Sequence, residues 1–128
     1  MSDFPTGTTR ILVTGSREWV DVPFLQRVMM RAYEIAPTAT LVHGACRGVD
    51  AIAAGFWAEF GGTVEAWPAN WSELGRGAGP RRNEDMVSAG ADVCLAFVQN
   101  SSNGARHCLA LAEWAEIPVF KFERTTKR

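Results

Sequence analysis

The stretch Leu41-Val42-His43-Gly44-Ala45-Cys46-Arg47-Gly48-Val49-Asp50-Ala51 passes from an apolar run into a helical pattern through a turn holding two glycines and an arginine. A turn of this kind at a helix N-terminus aims backbone N–H groups and the positive end of the helix dipole outward, and Arg47 adds a fixed charge. The first apolar run ends in a similar way, Ile11-Leu12-Val13-Thr14 leading into Gly15-Ser16-Arg17. Two such turns in one short chain predict a shared pocket for a phosphate-bearing ligand.

Working outward from that stretch, strands and helices alternate with little between them. Arg10 to Thr14 reads as a strand, and Asp21 with Pro23 announces a helix whose apolar positions Leu25, Val28, Met29 and Ala32 recur at helical spacing up to Pro37. Thr40 to His43 is a second strand. Val49, Ile52, Ala53, Phe56, Trp57 and Phe60 mark a second helix, stopped by Gly61-Gly62, and Thr63 to Trp67 a third strand. After a long loop, Asn83 to Ala89 reads as a shorter helix. Asp92 to Val98 is a fourth strand whose near-continuous apolar run suits burial on both faces. Gly104 to Ala115 is the last helix, with Trp114 on a packed face, and Pro118 to Phe122 the fifth strand. The pattern predicts one α/β domain over residues 10–122, a parallel sheet of about five strands with helices on both faces, between a flexible leader at 1–9 and a basic tail at 123–128.

Composition sets the bounds. The 128 residues, 47% of them hydrophobic, suffice for one core, and 13 basic against 14 acidic side chains give a formal net charge of -1. That balance implies no general attraction to nucleic acid, so a nucleic-acid partner is disfavoured. No apolar run approaches the length needed to cross a bilayer, and no signal segment is evident, which points to a cytoplasmic protein without a membrane partner. The three cysteines, Cys46, Cys94 and Cys108, form neither a disulfide framework nor a zinc module, and the His43/Cys46 and His107/Cys108 pairs read as packing and turn residues. No metal and no cofactor are expected.

In a parallel α/β sheet, ligands bind beyond the carboxyl ends of the strands where the strand order reverses. The candidate residues all fall on that edge: Gly15, Ser16 and Arg17 after the first strand; Gly44, Arg47, Gly48 and Asp50 after the second; Trp71, Gly79, Arg82 and Asn83 after the third; Asn103 and Gly104 after the fourth. The run Pro68 to Asn83 is long for a loop in a compact domain. Its glycines allow close backbone approach, Trp71 offers a stacking face, and Arg76, Arg81 and Arg82 offer phosphate forks. Trp19 stands just after the first glycine turn, either stacking on a base or anchoring the turn.

Taken together, Val13-Thr14-Gly15-Ser16-Arg17, His43-Gly44-Ala45-Cys46-Arg47-Gly48-Val49-Asp50, Pro68-Ala69-Asn70-Trp71 and Gly79-Pro80-Arg81-Arg82-Asn83-Glu84-Asp85-Met86 resemble the YspA-like branch of the SLOG superfamily, which joins the Smf/DprA DNA-processing proteins to the LOG nucleotide hydrolases. The resemblance implies a Rossmann-like sheet that binds nucleotides or nucleotide-derived molecules, and leaves homo-oligomers open. LOG enzymes cleave the N-glycosidic bond of a nucleoside monophosphate; other members bind or sense a ligand.

Arg82-Asn83 with Met86 looks like one LOG element. The second, a glycine-rich turn ending in threonine and followed by a glutamate, departs here: Ala105 stands for the threonine and Cys108 where the glutamate is expected. Cleavage passes through an oxocarbenium-like state that a carboxylate stabilises or supplies with water. Asp50 and Glu84 are the remaining candidates for that role, with capping or ribose binding the preferred role of Asp50. The expected function is a nucleotide-binding or sensor domain; the alternatives are a LOG-like nucleoside 5'-monophosphate N-glycosidase and, less favoured, a DprA-like DNA-processing accessory.

Overall fold

The computed structural model describes residues 4–126. Five parallel strands, β1 (Arg10–Gly15), β2 (Thr40–His43), β3 (Thr63–Ala66), β4 (Val93–Gln99) and β5 (Val119–Arg124), form one sheet in the order β3-β2-β1-β4-β5. The chain therefore builds outward from β1 to β3, returns across the sheet, and builds outward again from β4. The order reverses between β1 and β4, whose register runs from Ile11 opposite Val93 to Gly15 opposite Phe97.

Alternation along the strands divides the core in two. Ile11, Val13, Leu41, Val93, Leu95 and Phe97 face one side, where α1 (Val22–Ile35) and α2 (Val49–Phe60) contribute Leu25, Met29, Ala53 and Trp57. Leu12, Val42, Cys94 and Ala96 face the other, against Met86 and Val87 of α4 (Ala78–Ser88) and Cys108, Leu109 and Ala112 of α5 (Asn103–Trp114). Every residue of β4 is buried, as its unbroken apolar run required. Local chemistry sets the helix ends: the Asp21 carboxylate caps α1 by accepting the N–H of Phe24 at 3.2 Å, and Gly61, at φ +100, closes α2 in the left-handed region.

Three expectations are corrected. The run from Pro68 to Asn83 is not a structureless loop: it holds a short helix α3 (Trp71–Leu74) and a 3-10 turn (Gly75–Gly77), and α4 begins at Ala78. Pro80 is accommodated because the first turn of a helix has no intrahelical use for its missing N–H. Trp114 is 88% exposed instead of packed, being at the last position of α5. The leader expected at 1–9 is docked from Phe4 onward: Phe4 is buried and stacks on Phe120, and Thr9 and Arg10 donate their backbone N–H groups to the Asp92 carboxylate at 2.8 and 2.9 Å. Residues 1–3 of that leader, and 127–128 of the tail expected from 123, lie outside the described residues; β5 itself extends to Arg124. No helix among the described residues is long and apolar enough to cross a membrane.

Candidate ligand-binding site

The reversal point places the loops after β1 and β4 side by side. Ser16 joins them: its N–H donates to the Phe97 carbonyl at 2.9 Å and its hydroxyl accepts the Gln99 N–H at 2.7 Å, while its own carbonyl receives the N–H of Val49 at the start of α2. The neighbouring glycines serve this close packing. A Cβ on Gly15 would stand 2.5 Å from the side chain of Val49. One on Gly48, whose φ is +79, would stand 2.6 Å from the Arg17 backbone. Trp19 is buried as well, donating its ring N–H to the Asp21 carbonyl and meeting Phe97 edge-on, so it anchors the turn and is not a stacking surface for a base.

The turn between β2 and α2 is closed by its own carboxylate. Asp50, only 4% exposed, accepts the backbone N–H groups of Gly44 at 2.9 Å and Cys46 at 3.4 Å on Oδ2, and so occupies the place at the α2 N-terminus where an external anion was expected. Its Oδ1 accepts no hydrogen bond among the described residues, and the residue lines a cavity. Burial pushes the carboxyl up to about 6; the two N–H groups, Arg82 and Arg17 hold it from rising further. His43, under the same turn, accepts the Ala45 N–H on Nδ1 at 3.0 Å, and burial, with Arg82 nearby, moves its pKa down.

Arg82 reaches back from α4 beneath that turn. Its guanidinium donates to the carbonyls of Gly44 and Trp67, Nε donates to Oδ1 of Asn83 at 2.7 Å, and Nη2 lies 3.5 Å from the Cys46 sulfur. Gly44 leaves room for it: a Cβ there would stand 2.7 Å from Nη1. The fork expected for a phosphate thus mostly holds protein carbonyls, where it fixes the β2 and β3 loops to α4. Asn83, itself buried, carries the contact onward, its amide nitrogen lying 3.1 Å from Nδ1 of His107 on α5.

Above the carboxyl ends of β1 and β4 opens a cavity of about 690 Å³, a volume suited to a nucleotide-sized molecule. Arg17 is exposed on its rim, with no hydrogen bond or ion pair among the described residues. Asn103 and Gly104 line the cavity from the N-terminus of α5, whose preceding Ser102 makes no side-chain cap. The first backbone N–H groups of that helix are left for a ligand or solvent. Trp71, 52% exposed, stands over Gly79, where a Cβ would be 3.4 Å from its ring. Asn100 and Ser101, at φ +53 and +56, carry the strained loop that turns β4 into α5.

The structure thus brings to one cavity Gly15, Ser16, Arg17, Asp50, Trp71, Gly79, Arg82, Asn83, Asn103 and Gly104. Gly44 and Arg47 line instead an adjoining recess of about 410 Å³ that shares Arg17, Cys46, Trp71 and Arg82 with the main cavity. Arg47 is turned outward, paired with Glu18 at 2.9 Å. Gly48 lines neither space, and Glu84 is exposed on α4 away from both. Met86 and Cys46 line the cavity although the sequence did not place them in the site; Gln99 lines it too, at the start of the turn after β4 that the sequence put on this edge, as does His107, which the sequence offered only as a disfavoured phosphate donor from the first turn of the last helix. Cys108, at the position where the resemblance leads one to expect a glutamate, is buried in the core beside Thr14, its thiol pushed up to about 11.

A family model described as the YspA, cpYpsA-related SLOG family matches residues 9–73, and the gene 61 protein of Mycobacterium phage D29 is 42% identical over 120 positions covering 88% of this chain and 95% of that protein. The chain belongs to the YspA, cpYpsA-related SLOG family. The matched span takes this SLOG domain from just before β1 into α3, and so includes both glycine turns and Trp71. DNA processing protein A from Helicobacter pylori, a protein described for its single-stranded DNA binding mode, superposes on the SLOG domain with a TM-score of 0.64 at 18% identity. The match covers 88% of this chain and 64% of that one. That likeness is one of fold.

Proposed function

We propose that this SLOG domain binds a nucleotide or nucleotide-derived phosphorylated small molecule in the cavity at the carboxyl edge of its sheet, as a ligand-binding or sensor module. The observation that carries this reading is the meeting, in one 690 Å³ space at the strand-order reversal, of an uncapped helix N-terminus, the Arg17 cation, which has no partner among the described residues, and the exposed ring of Trp71. The helix end and Arg17 suit a phosphate, the indole suits a base, and the free oxygen of Asp50 suits a ribose hydroxyl.

A second reading rests on Asp50 alone, since Glu84 faces away. A buried carboxyl pushed up to about 6, on a residue that lines the cavity and whose Oδ1 accepts no hydrogen bond among the described residues, has the character of a general base. In a nucleoside 5'-monophosphate N-glycosidase it would take a proton from water as the water oxygen bonds to the ribose anomeric carbon and the bond to the base nitrogen breaks, the base leaving with a proton. Single-stranded DNA, suggested only by the shared fold with DNA processing protein A, suits neither the net charge of -1 nor a cavity of this size.

Incubating the protein with nucleoside mono-, di- and triphosphates while following thermal shift and free base separates these readings. Stabilisation without base release supports the module; release abolished by Asp50→Asn supports the hydrolase. No response to any nucleotide, with salt-sensitive retention of single-stranded DNA, would overturn both.

A further inference from the structure

The chain of contacts from Arg82 through Asn83 to His107 fixes more than position. The Nε of an arginine can only donate, so its 2.7 Å contact must fall on the oxygen of the Asn83 amide. The amide nitrogen then faces Nδ1 of His107 at 3.1 Å, and because that nitrogen is itself a donor, Nδ1 accepts. In the neutral imidazole the proton is then on Nε2, which has no hydrogen-bond partner among the described residues, and His107 is one of the residues that line the cavity. The Arg82 guanidinium is itself held by the Gly44 and Trp67 carbonyls, from two other loops, so the donor that fixes the orientation of the buried Asn83 amide stays in place.

We infer that His107 is a specificity-determining residue that donates Nε2–H to the phosphate of the ligand, with Asn83 as the positioning residue that holds it in that tautomer. This rests on the nucleotide-binding reading above. His107 lies one turn along α5 from Asn103, and helical side chains lean toward the N-terminus, so its donor joins the free N–H groups of Asn103 and Gly104 on the same wall. The opposite tautomer would present a lone pair there, which repels a phosphate oxygen and suits a donor ligand instead. The relay therefore selects for an acceptor-only anionic group at the α5 end, and places the sugar and base toward Asp50 and Trp71.

The test is long-range proton–nitrogen correlation NMR on the neutral imidazole, with adenosine monophosphate, adenosine and inorganic phosphate as probes. Wild type is expected to show the proton on Nε2. His107→Ala is expected to weaken adenosine monophosphate by ~10-fold or more, the scale of a lost charge-assisted hydrogen bond, and to leave adenosine within about twofold. His107→Gln, whose amide nitrogen reaches the same place, should restore most of the affinity. Asn83→Asp keeps an acceptor for Arg82 but cannot donate, so the His107 proton should move to Nδ1 and the affinity should fall as in His107→Ala. A wild-type proton on Nδ1, or equal binding of adenosine monophosphate by wild type and His107→Ala, would overturn the inference alone. Failure of wild type to bind either phosphate probe would fell the nucleotide reading and this inference with it.

Discussion

Asp50 accepts the backbone N–H of Gly44 at 2.9 Å, and through that bond the first turn of α2 is tied to the end of β2. The carboxyl is needed for its oxygen, while its charge is costly at this depth. Because its folded pKa is raised, to about 6 from 3.8, the folded state binds more protons than the unfolded chain between those values. Stability from this group is therefore complete below the unfolded pKa and is lost as pH rises through 6, a difference of about 3 kcal/mol at most. Asp50→Asn keeps an acceptor without the charge. Urea unfolding across this range should show the variant gaining on wild type from pH 4 to 7, and Asp50→Ala losing about 1–3 kcal/mol at every pH from the orphaned N–H groups. A variant-to-wild-type difference that does not move with pH would remove the titration from the account.

Gly48 is a position where the loops after β1 and β2 touch closely, backbone against backbone. Its φ of +79 disfavours any side chain, and a Cβ would meet the Arg17 backbone at 2.6 Å, which cannot rotate away. Gly48→Ala should cost more than about 2 kcal/mol and displace Arg17 from the cavity rim, weakening phosphate binding along with the fold. Gly55, in the middle of α2, is the control: open space surrounds its Cβ position, so Gly55→Ala should stabilise by up to about 1 kcal/mol. Thermal melts of the two variants would need to move in opposite directions.

The contrast between these glycines explains what the sequence made legible. Alternating apolar runs with short links are enough to read five strands and the reversal point, because a parallel sheet buried on both faces leaves little freedom in where apolar residues go. The same turns point to the edge where the cavity opens. They do not distinguish a glycine that admits a ligand from one that admits a neighbouring chain segment, since both need the absent Cβ; Gly15, Gly44 and Gly48 prove to be of the second kind. The start of α4 was obscured by Gly77, Gly79 and Pro80, residues that disfavour a helix interior but are tolerated in its first turns. The Asp50 and Arg82 contacts join residues 6 and 38 positions apart from their partner at Gly44, and such pairing follows from the folded loops and not from any local pattern.

Arg10 ties the amino end of β1 to β3 and to the end of α4. It grips Glu65 with both nitrogens, at 3.0 and 2.8 Å, and donates Nε to the Gly90 carbonyl, while the Trp67 ring N–H donates to the same carboxylate at 2.7 Å. These donors hold the Glu65 carboxyl down at about 2, with Arg10 the larger cause and Trp67 the next. A depressed carboxyl contributes stability that is present above its unfolded value of 4.5 and is lost as pH falls toward 2. With the two side chains 30% and 37% exposed, solvent screening limits the pair to about 1 kcal/mol. Glu65→Gln should therefore lose roughly that amount at neutral pH and match wild type in strong acid. Equal stability of the two proteins at pH 7 in low salt would show that the grip contributes nothing.

Trp71 offers the most direct optical view of the site. Of the five tryptophans, Trp19 and Trp57 are buried, Trp67 is partly buried and committed to Glu65, and Trp114 is exposed at the far end of α5 from the cavity. Only Trp71 combines an open ring face with a place on the cavity wall. A base stacked on that face should quench its emission, so titration with adenosine monophosphate should lower the intrinsic fluorescence in a saturable way. Trp71→Phe should retain binding within a few-fold but lose the quench. Trp71→Ala should weaken binding by roughly tenfold, the scale of one stacking contact, with stability changed by no more than about 0.5 kcal/mol because the ring is half exposed. Trp114→Phe should leave the quench intact. A quench that persists in Trp71→Phe would move the base away from this wall and require it to sit against another face of the cavity.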